Sequence, residues 1–353
     1  MRRFLLIATA LVPAALVPAA LAPAAVHAET ATLMAYSDGP FQDNYTAAVT
    51  VPYNAKGGAN QVTFFGSNSS ATMLGQLRTQ KTAPQVDVVI MDTAIAAIAC
   101  AEGLIEKITP AMLPVMSELD PNAQDANGCG PGVTFDHLIV AYDAKAVTPA
   151  PTSLSILADP KWKGRTSLAA PPNIQALALT AILANANGGD WRKPDAAIGV
   201  LKTMAPNVQT FDPQPDGYTL ILNGTLDFAT GWNARAQLFK DRSGGRLGVM
   251  VPKEGTALQI NTINLVKGGP HPEAGLAFMK YALSAEAQKA FTERMFYGPT
   301  NMTATIAPEA AARTSAGADV KPLVVPVDWN EMVKLRDGWT QRWRREVIPA
   351  GAR

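Results

Sequence analysis

The chain reads as an α/β protein of two lobes, each built on a mainly parallel sheet flanked by helices. Three observations lead there. Strand, polar turn and helix recur in that order through the first hundred residues, the sign of parallel βα units. Val86-Asp87-Val88-Val89-Ile90-Met91 has the apolar continuity of a strand covered on both faces. Beyond the first 28 residues the chain runs on for about 325 more, past the roughly 250 to 300 at which a single core stops growing.

The opening MRRFLLIATALVPAALVPAALAPAAVHAET places Arg2 and Arg3 before an apolar run from Phe4 to Val26. It reaches a small-x-Ala pattern, Val26-His27-Ala28, ahead of the first acid, Glu29. That is the pattern of a secretory signal peptide over residues 1–28, cut after Ala28. Pro13, Pro18 and Pro23 would kink a spanning helix and no second hydrophobic span follows, so a membrane anchor is the poorer reading. A soluble protein exported to the periplasm is expected, without a lipid anchor, since the residue directly after the cut is Glu29 and not a cysteine. The chain carries 30 Lys and Arg against 29 Asp and Glu. Losing Arg2 and Arg3 with the leader makes it acidic by one charge, which offers nothing to nucleic acid or an anionic membrane.

Ala31–Tyr36 is the first strand, ended by the turn Ser37-Asp38-Gly39-Pro40. Residues 61–65 form the second, followed by Gly66-Ser67-Asn68-Ser69-Ser70 and a helix over 71–79. Residues 86–91 form the third, running through Asp92-Thr93 into another helix. Ligands of parallel α/β sheets sit beyond the carboxyl ends of the strands, where Ser37, Asp38, Ser69, Asp92 and Thr93 fall. Asp92 equally suits a helix N-cap. Cys100 and Cys129 are an even pair in an oxidising compartment. A disulfide closing a loop of about 28 residues would add on the order of 3 kcal/mol; two separate buried thiols are the other reading.

A second α/β unit begins with a crossing strand over 137–142. A strand over 166–169 then leads through Pro171-Pro172-Asn173 to an Ala-rich helix over 174–186, with another helix over 195–204. A strand over 224–229 delivers Trp232-Asn233, and Asn173, Trp232 and Asn233 are candidate ligand residues. Pro252-Lys253-Glu254-Gly255 turns into a strand on which two amides, Gln259 and Asn261, share a face with Ile263 and Leu265. Either the amides meet a ligand or that face is open to solvent. Helices over 272–283 and 285–294 follow. In the final helix, over 329–347, Trp329, Met332, Trp339, Trp343 and Val347 recur at helical steps and are expected to pack on a lobe.

Nothing along the chain assembles a catalyst. His137 and His271 have no partners at metal-ligand spacing, and there is no nucleophile elbow, no phosphate-binding loop and no dinucleotide fingerprint. No catalytic residue, metal or cofactor is expected. The turns offer hydroxyls, amides and helix N-termini, which is recognition chemistry.

Several runs resemble the substrate-binding proteins of ABC importers, in the spermidine/putrescine-binding group. They are Ala83-Pro84-Gln85-Val86-Asp87 with Glu102-Gly103-Leu104-Ile105, Asp159-Pro160-Lys161-Trp162-Lys163-Gly164, and Asn223-Gly224 leading to Gly231-Trp232-Asn233. Pro252-Lys253-Glu254-Gly255, Pro272-Glu273-Ala274 and Tyr297-Gly298-Pro299-Thr300-Asn301 continue the set in order. The resemblance implies the type II periplasmic binding protein fold, with chain crossings near 134–142 and 256–264. It implies one lobe from 29–137 plus 263–302, and a second from 138–262 plus 303–353 with the C-terminal helix. It implies closure on a small-molecule ligand and delivery to the transmembrane subunits of a permease, by a monomer that is no enzyme.

Matched residue by residue, the group's ligand positions fall at Ser37, Asp92, Trp232, Tyr297 and Asn330. Trp232 offers a ring to an alkyl chain or an ammonium, or packs within its lobe. The group's remaining acidic and aromatic contacts fall at Pro171, Ile174, Gln259 and Asn261, all neutral here. Leaving an ammonium of a polyamine uncompensated costs several kcal/mol. The expected ligand is therefore an amino acid-like zwitterion or a monoamine, with a polyamine held by Asp38, Asp92, Asp212 or Asp216 as the alternative. Arg235 grips an acidic group if it points inward and is a surface charge otherwise. A sensor-linked binding protein and a secreted enzyme on the same scaffold are further alternatives.

Overall fold

Asp38 starts the architecture by ending strand β1 (Thr30–Tyr36) and capping helix α1 (Gly39–Tyr45), its carboxylate accepting the Phe41 N–H at 2.9 Å. The segment read as a turn, Ser37 to Pro40, is thus a helix start, because proline costs nothing in the first helical turn. The helix runs on through a π turn at Thr46–Thr50 into α2 (Val51–Ala55). In this computed structural model the described residues are 28–56, 58–125 and 127–351, so the body of the expected leader lies outside them.

Strand β2 (Gln61–Ser67) leads to α3 (Ser70–Thr79), and β3 (Val88–Asp92) to α4 (Thr93–Ala101). Strand β4 (Gly132–Asp143) is buried over its whole length. Then come β5 (Thr166–Ser167), α5 (Ile174–Gly188), α6 (Asp195–Met204), β6 (Val208–Thr210), α7 (Gly217–Leu222), β7 (Phe228–Trp232), α8 (Asn233–Arg242), β8 (Leu247–Met250) and β9 (Thr256–Leu265). The chain finishes with α9 (Pro272–Ala282), α10 (Ala285–Met295), α11 (Pro308–Ala312), β10 (Val324–Val325), α12 (Trp329–Arg342) and α13 (Ile348–Gly351). The strand expected over 224–229 lies a few residues later. Asn223 ends α7 and Gly224, at φ 83°, turns the chain before Phe228 enters the sheet.

Two sheet halves share the long strands. The first runs β2-β1-β3-β9-β4, parallel among β1, β2 and β3, with β9 antiparallel to both β3 and β4. In the second, β8 and β7 flank the far end of β4 and β5 and β6 extend it in parallel. Strands β4 and β9 therefore cross between the halves side by side, with Asp136 in register with Gln259 and Thr134 with Asn261.

Each half has its own core. Leu33, Ile90, Ile263 and Phe278 belong to one; Leu138, Phe228, Ile182 and Trp343 belong to the other. The C-terminal aromatic stripe packs into the second, and the Trp343 indole donates to the Thr180 hydroxyl at 2.9 Å. Cys100 and Cys129 are joined by a disulfide, which links the end of α4 to the loop entering β4.

Candidate functional site

A cavity of about 330 Å³ opens between the two halves, floored by the crossing strands. Its walls come from many elements because each sends one polar or aromatic side chain to the same place. From β1 comes Tyr36 and from the α1 cap Asp38; β4 gives Asp136, and β9 gives Gln259 and Asn261. Trp232 and Arg235 come from the junction of β7 and α8, and Tyr297 follows α10. The loop 212–217 closes the outer side with Asp212 and Asp216.

The floor is cross-braced. The Tyr36 hydroxyl lies 2.8 Å from the Ser70 hydroxyl and donates to the Asn261 Oδ1 at 3.1 Å, while Asn261 Nδ2 donates to Thr134 Oγ1 at 3.0 Å. Ser70 in turn accepts the Asp92 N–H. Asn261, only 1% exposed, thus holds β1, β4 and β9 in register below the cavity. Gln259, half-buried, is the amide nearer the open space.

Trp232 is set by its backbone. The Tyr218 hydroxyl accepts the Trp232 N–H at 2.6 Å and lies 2.9 Å from its carbonyl oxygen. A Cβ on Gly231 would stand 2.4 Å from that hydroxyl, so only glycine lets the two meet. Tyr297 is set by strain: Phe296 takes φ 61° at the end of α10, a conformation that costs a non-glycine residue roughly 1–2 kcal/mol. Arg313 lies 3.8 Å over the Phe296 ring and steadies it there. Tyr297 then stacks on Phe291 and meets Phe41 edge-on.

Carboxylates dominate the charge. Asp38, Asp136, Asp212 and Asp216 line the cavity against a single cation, Arg235. Arg235 is already paired, its Nη2 standing 2.6 Å from Asp38 Oδ2. Asp136 is 1% exposed and burial drives its pKa up to about 7, against N–H donors from Ala234 and His137 and the charge of Arg235, which pull it down. Burial and the nearby Asp136 and Asp38 keep the Tyr297 phenol neutral, its pKa well above the ordinary value. Four aromatic side chains, Tyr36, Tyr218, Trp232 and Tyr297, line the cavity together with the acids and the one paired cation.

Of the residues singled out in the sequence, Asp38, Asn173, Trp232, Arg235, Gln259, Asn261 and Tyr297 come together here. Ser69, Asp92 and Asn173 line an adjoining, largely apolar cavity of about 270 Å³, between α3 and α4 on one side and α5 and α12 on the other. All three also cap helices: Ser69 accepts from Thr72, Asp92 from Ile95 and Asn173 from Gln175. Ser37, Thr93 and Asn233 stay outside the main cavity. The Ser37 hydroxyl donates to Asn68, Thr93 to the Ile260 carbonyl, and Asn233 is buried, donating to the carbonyls of Phe296 and Arg313. Asn330 lies behind the crossing strands, its amide donating to Asp125.

Asp136, Gln175, Tyr36 and Tyr218 were not singled out. Asp136 had a signal: it is the one acid inside the run from Gly132 to Tyr142, on the same strand face as Thr134.

The chain is similar to known proteins throughout this architecture. It matches the bacterial extracellular solute-binding protein family over residues 48–318. It is 25% identical over 252 residues to the spermidine/putrescine-binding periplasmic protein of Escherichia coli strain K12, covering 69% of this chain and 72% of that protein. It is 24% identical over 322 residues to a putative 2-aminoethylphosphonate-binding periplasmic protein of Salmonella typhi, covering 89% and 92%. Among solved structures, an ABC transporter substrate-binding protein from Bradyrhizobium japonicum superposes with a TM-score of 0.75 at 20% identity, over 90% of this chain and 98% of that one, and shares the fold. The family match spans most of the chain; the chain belongs to the bacterial extracellular solute-binding proteins, non-enzymatic solute-binding components of ABC importers.

Proposed function

We propose that this protein captures a small amino-bearing solute, a zwitterion or a monoamine, in the cavity between its halves and delivers it to a membrane permease. The observation that carries the reading is the charge of the lining: acids and aromatic rings surround one arginine that Asp38 already neutralises. A single ammonium suits the buried acid on the floor, and an acidic group at the ligand's other end suits Arg235 in exchange for Asp38. The similarity to a 2-aminoethylphosphonate-binding protein is in line with a molecule carrying both groups.

A second reading has its own observation. Asp212 and Asp216 stand on the outer wall and would meet the far ammonium of a diamine, as the spermidine/putrescine-binding relative suggests. Asp216 is occupied in part as the cap of α7, accepting from the Thr219 N–H at 2.7 Å. Asp212 is exposed, and an exposed charge contributes less to holding a cation.

The protein would work in the periplasm after removal of residues 1–28, as a monomer, with the lobes divided as the sequence suggests. Calorimetry on the mature chain with 2-aminoethylphosphonate, an ω-amino acid, butylamine, putrescine and spermidine tests the ligand class. The expected result is binding of a zwitterion or the monoamine. Tight putrescine or spermidine binding with no response to the others would overturn the first reading in favour of the second.

A further inference from the structure

We propose that the Asp136 carboxylate is the seat of the ligand's ammonium group and the residue that sets selectivity for a cationic nitrogen. The inference rests on the amino-solute reading above and names the atom group that reads the amine.

Asp136 sits where the two halves meet, on strand β4, opposite Gln259 of β9 and against the start of α8. Helix α8 begins without a side-chain cap of its own, since Trp232 occupies the N-cap position. Asp136 takes that role from a distance: Oδ1 accepts from the Ala234 N–H at 3.1 Å and from the His137 N–H at 2.8 Å. Oδ2 makes a long contact of 3.4 Å with the Ala234 N–H, and the Asn233 N–H adds a weaker pull on the carboxylate. One carboxylate oxygen is therefore well satisfied and the other is left weakly bound, on a residue that lines the cavity and is 1% exposed. A buried acid in that state is short of a donor. An ammonium supplies three.

The groups facing Asp136 agree with this assignment. Arg235 of α8 lies near but is paired with Asp38 of the α1 cap; Tyr218 of α7 and Tyr297 after α10 are phenols held neutral by burial. His137, its chain neighbour, is buried and held neutral, with pKa lowered to about 3 by burial. No other cation is positioned to satisfy Asp136 among the described residues lining the cavity. Burial lifts the empty carboxyl to about pH 7, whereas an ammonium docked on it stabilises the charged form. Binding at neutral pH then expels a proton, and affinity for an amine falls as the pH drops below 7.

Asp136→Asn tests the assignment cleanly because an amide oxygen can still cap α8 while the charge is gone. The mature full-length protein and the variant are titrated with 2-aminoethylphosphonate, butylamine and putrescine at pH 6, 7 and 8, in phosphate and in PIPES. For whichever amine binds the wild type, the variant is expected to weaken it by about 100-fold or more at pH 8, with the unliganded fold retained. Wild-type affinity is expected to fall about fivefold from pH 7 to pH 6 beyond any titration of the ligand, with about half a proton released per ligand at pH 7. Wild-type amine binding that is independent of pH, or a variant within threefold of the wild type, makes Asp136 a helix cap only; the amino-solute reading survives that result. A wild type that takes none of the amines overturns the amino-solute reading and this inference together.

Discussion

Arg235 and Asp38 form an ion pair at 2.6 Å that ties the start of α8 to the start of α1, across the mouth of the cleft. Each side chain is about a third exposed (34%), so the pair contributes little to folding stability, on the order of 1 kcal/mol or less. Its weight is on closure and on the ligand. Asp38→Asn keeps the cap on Phe41 N–H and frees the guanidinium. Arg235→Ala removes it.

Both variants are expected to open the unliganded protein, read as a larger radius of gyration by small-angle scattering. They should part company on binding. A zwitterionic ligand is expected to lose about tenfold to hundredfold with Arg235→Ala, the size of a charge-assisted hydrogen bond of about 1.5–3 kcal/mol, and to bind Asp38→Asn as well as or better than the wild type. Equal losses from both substitutions would mean that the pair serves closure alone.

Asp136 and His137, neighbours on β4, make opposite demands on pH. For Asp136 the folded pKa, about 7, lies above the ordinary value of 3.8; the native state binds the extra proton between those limits, and stability falls as pH rises through them. For His137 the folded pKa, about 3, lies below the ordinary value of 6.5. There the unfolded state binds the extra proton, and stability falls as pH drops from 6.5 towards 3. Each contributes a slope of about 1.4 kcal/mol per pH unit. Between pH 4 and 6.5 the two slopes cancel.

Asp136→Asn leaves only the histidine slope. Thermal melts of unliganded protein should show the variant more stable than the wild type at pH 8 and the advantage shrinking towards pH 4. A constant difference between the two across that range would show that Asp136 does not titrate there.

The sequence made the parallel βα units legible because their signals are local: apolar strands, Ser or Asp caps and helical runs sit side by side in the chain. The crossing strands were legible in part: 137–142 is an apolar run, but β4 begins earlier, at Gly132, and in β9 half the residues are polar, so its crossing role came from the family resemblance. The strand misplaced at 224–229 failed on a local ambiguity. Asn223-Gly224 could open a strand or close a helix, and the choice depended on Tyr218 packing under Gly231. The cleft residues were harder. Trp232 was marked by the family resemblance and Arg235 by its closeness to Trp232 in the chain, but Asn233 between them turns inward to bind two carbonyls. Asp136 escaped because its role depends on the remote start of α8.

The Cys100–Cys129 disulfide lies behind the cleft, with Cys129 buried. A loop of about 28 residues gives on the order of 3 kcal/mol in the chain-entropy model. The double substitution to serine is expected to lower the unfolding free energy read from urea titration by about that amount, with ligand affinity within twofold of the wild type. A much larger loss of affinity than of stability would show that the loop entering β4 communicates with the cavity floor.

Gln259 and Asn261 present the sharpest test of what the floor meets. Asn261 has little freedom: its oxygen takes the Tyr36 hydroxyl and its nitrogen gives to Thr134. In Asn261→Asp the Tyr36 donor remains and the Thr134 hydroxyl must rotate to donate instead of accept, so the network survives, but with a charge in a site 1% exposed. A cost of about 1–3 kcal/mol in stability is expected. Gln259 is half-buried and in register with Asp136, so Gln259→Glu adds the same charge nearer the open space at lower cost. If an ammonium lies on the floor, both substitutions are expected to raise amine affinity at pH 8, with Gln259→Glu giving a gain of about tenfold, the effect of one partly screened charge of about 1.4 kcal/mol. Calorimetry that finds both variants unchanged towards amines would place the ligand away from the crossing strands, and leave the two amides as fastenings of the sheet.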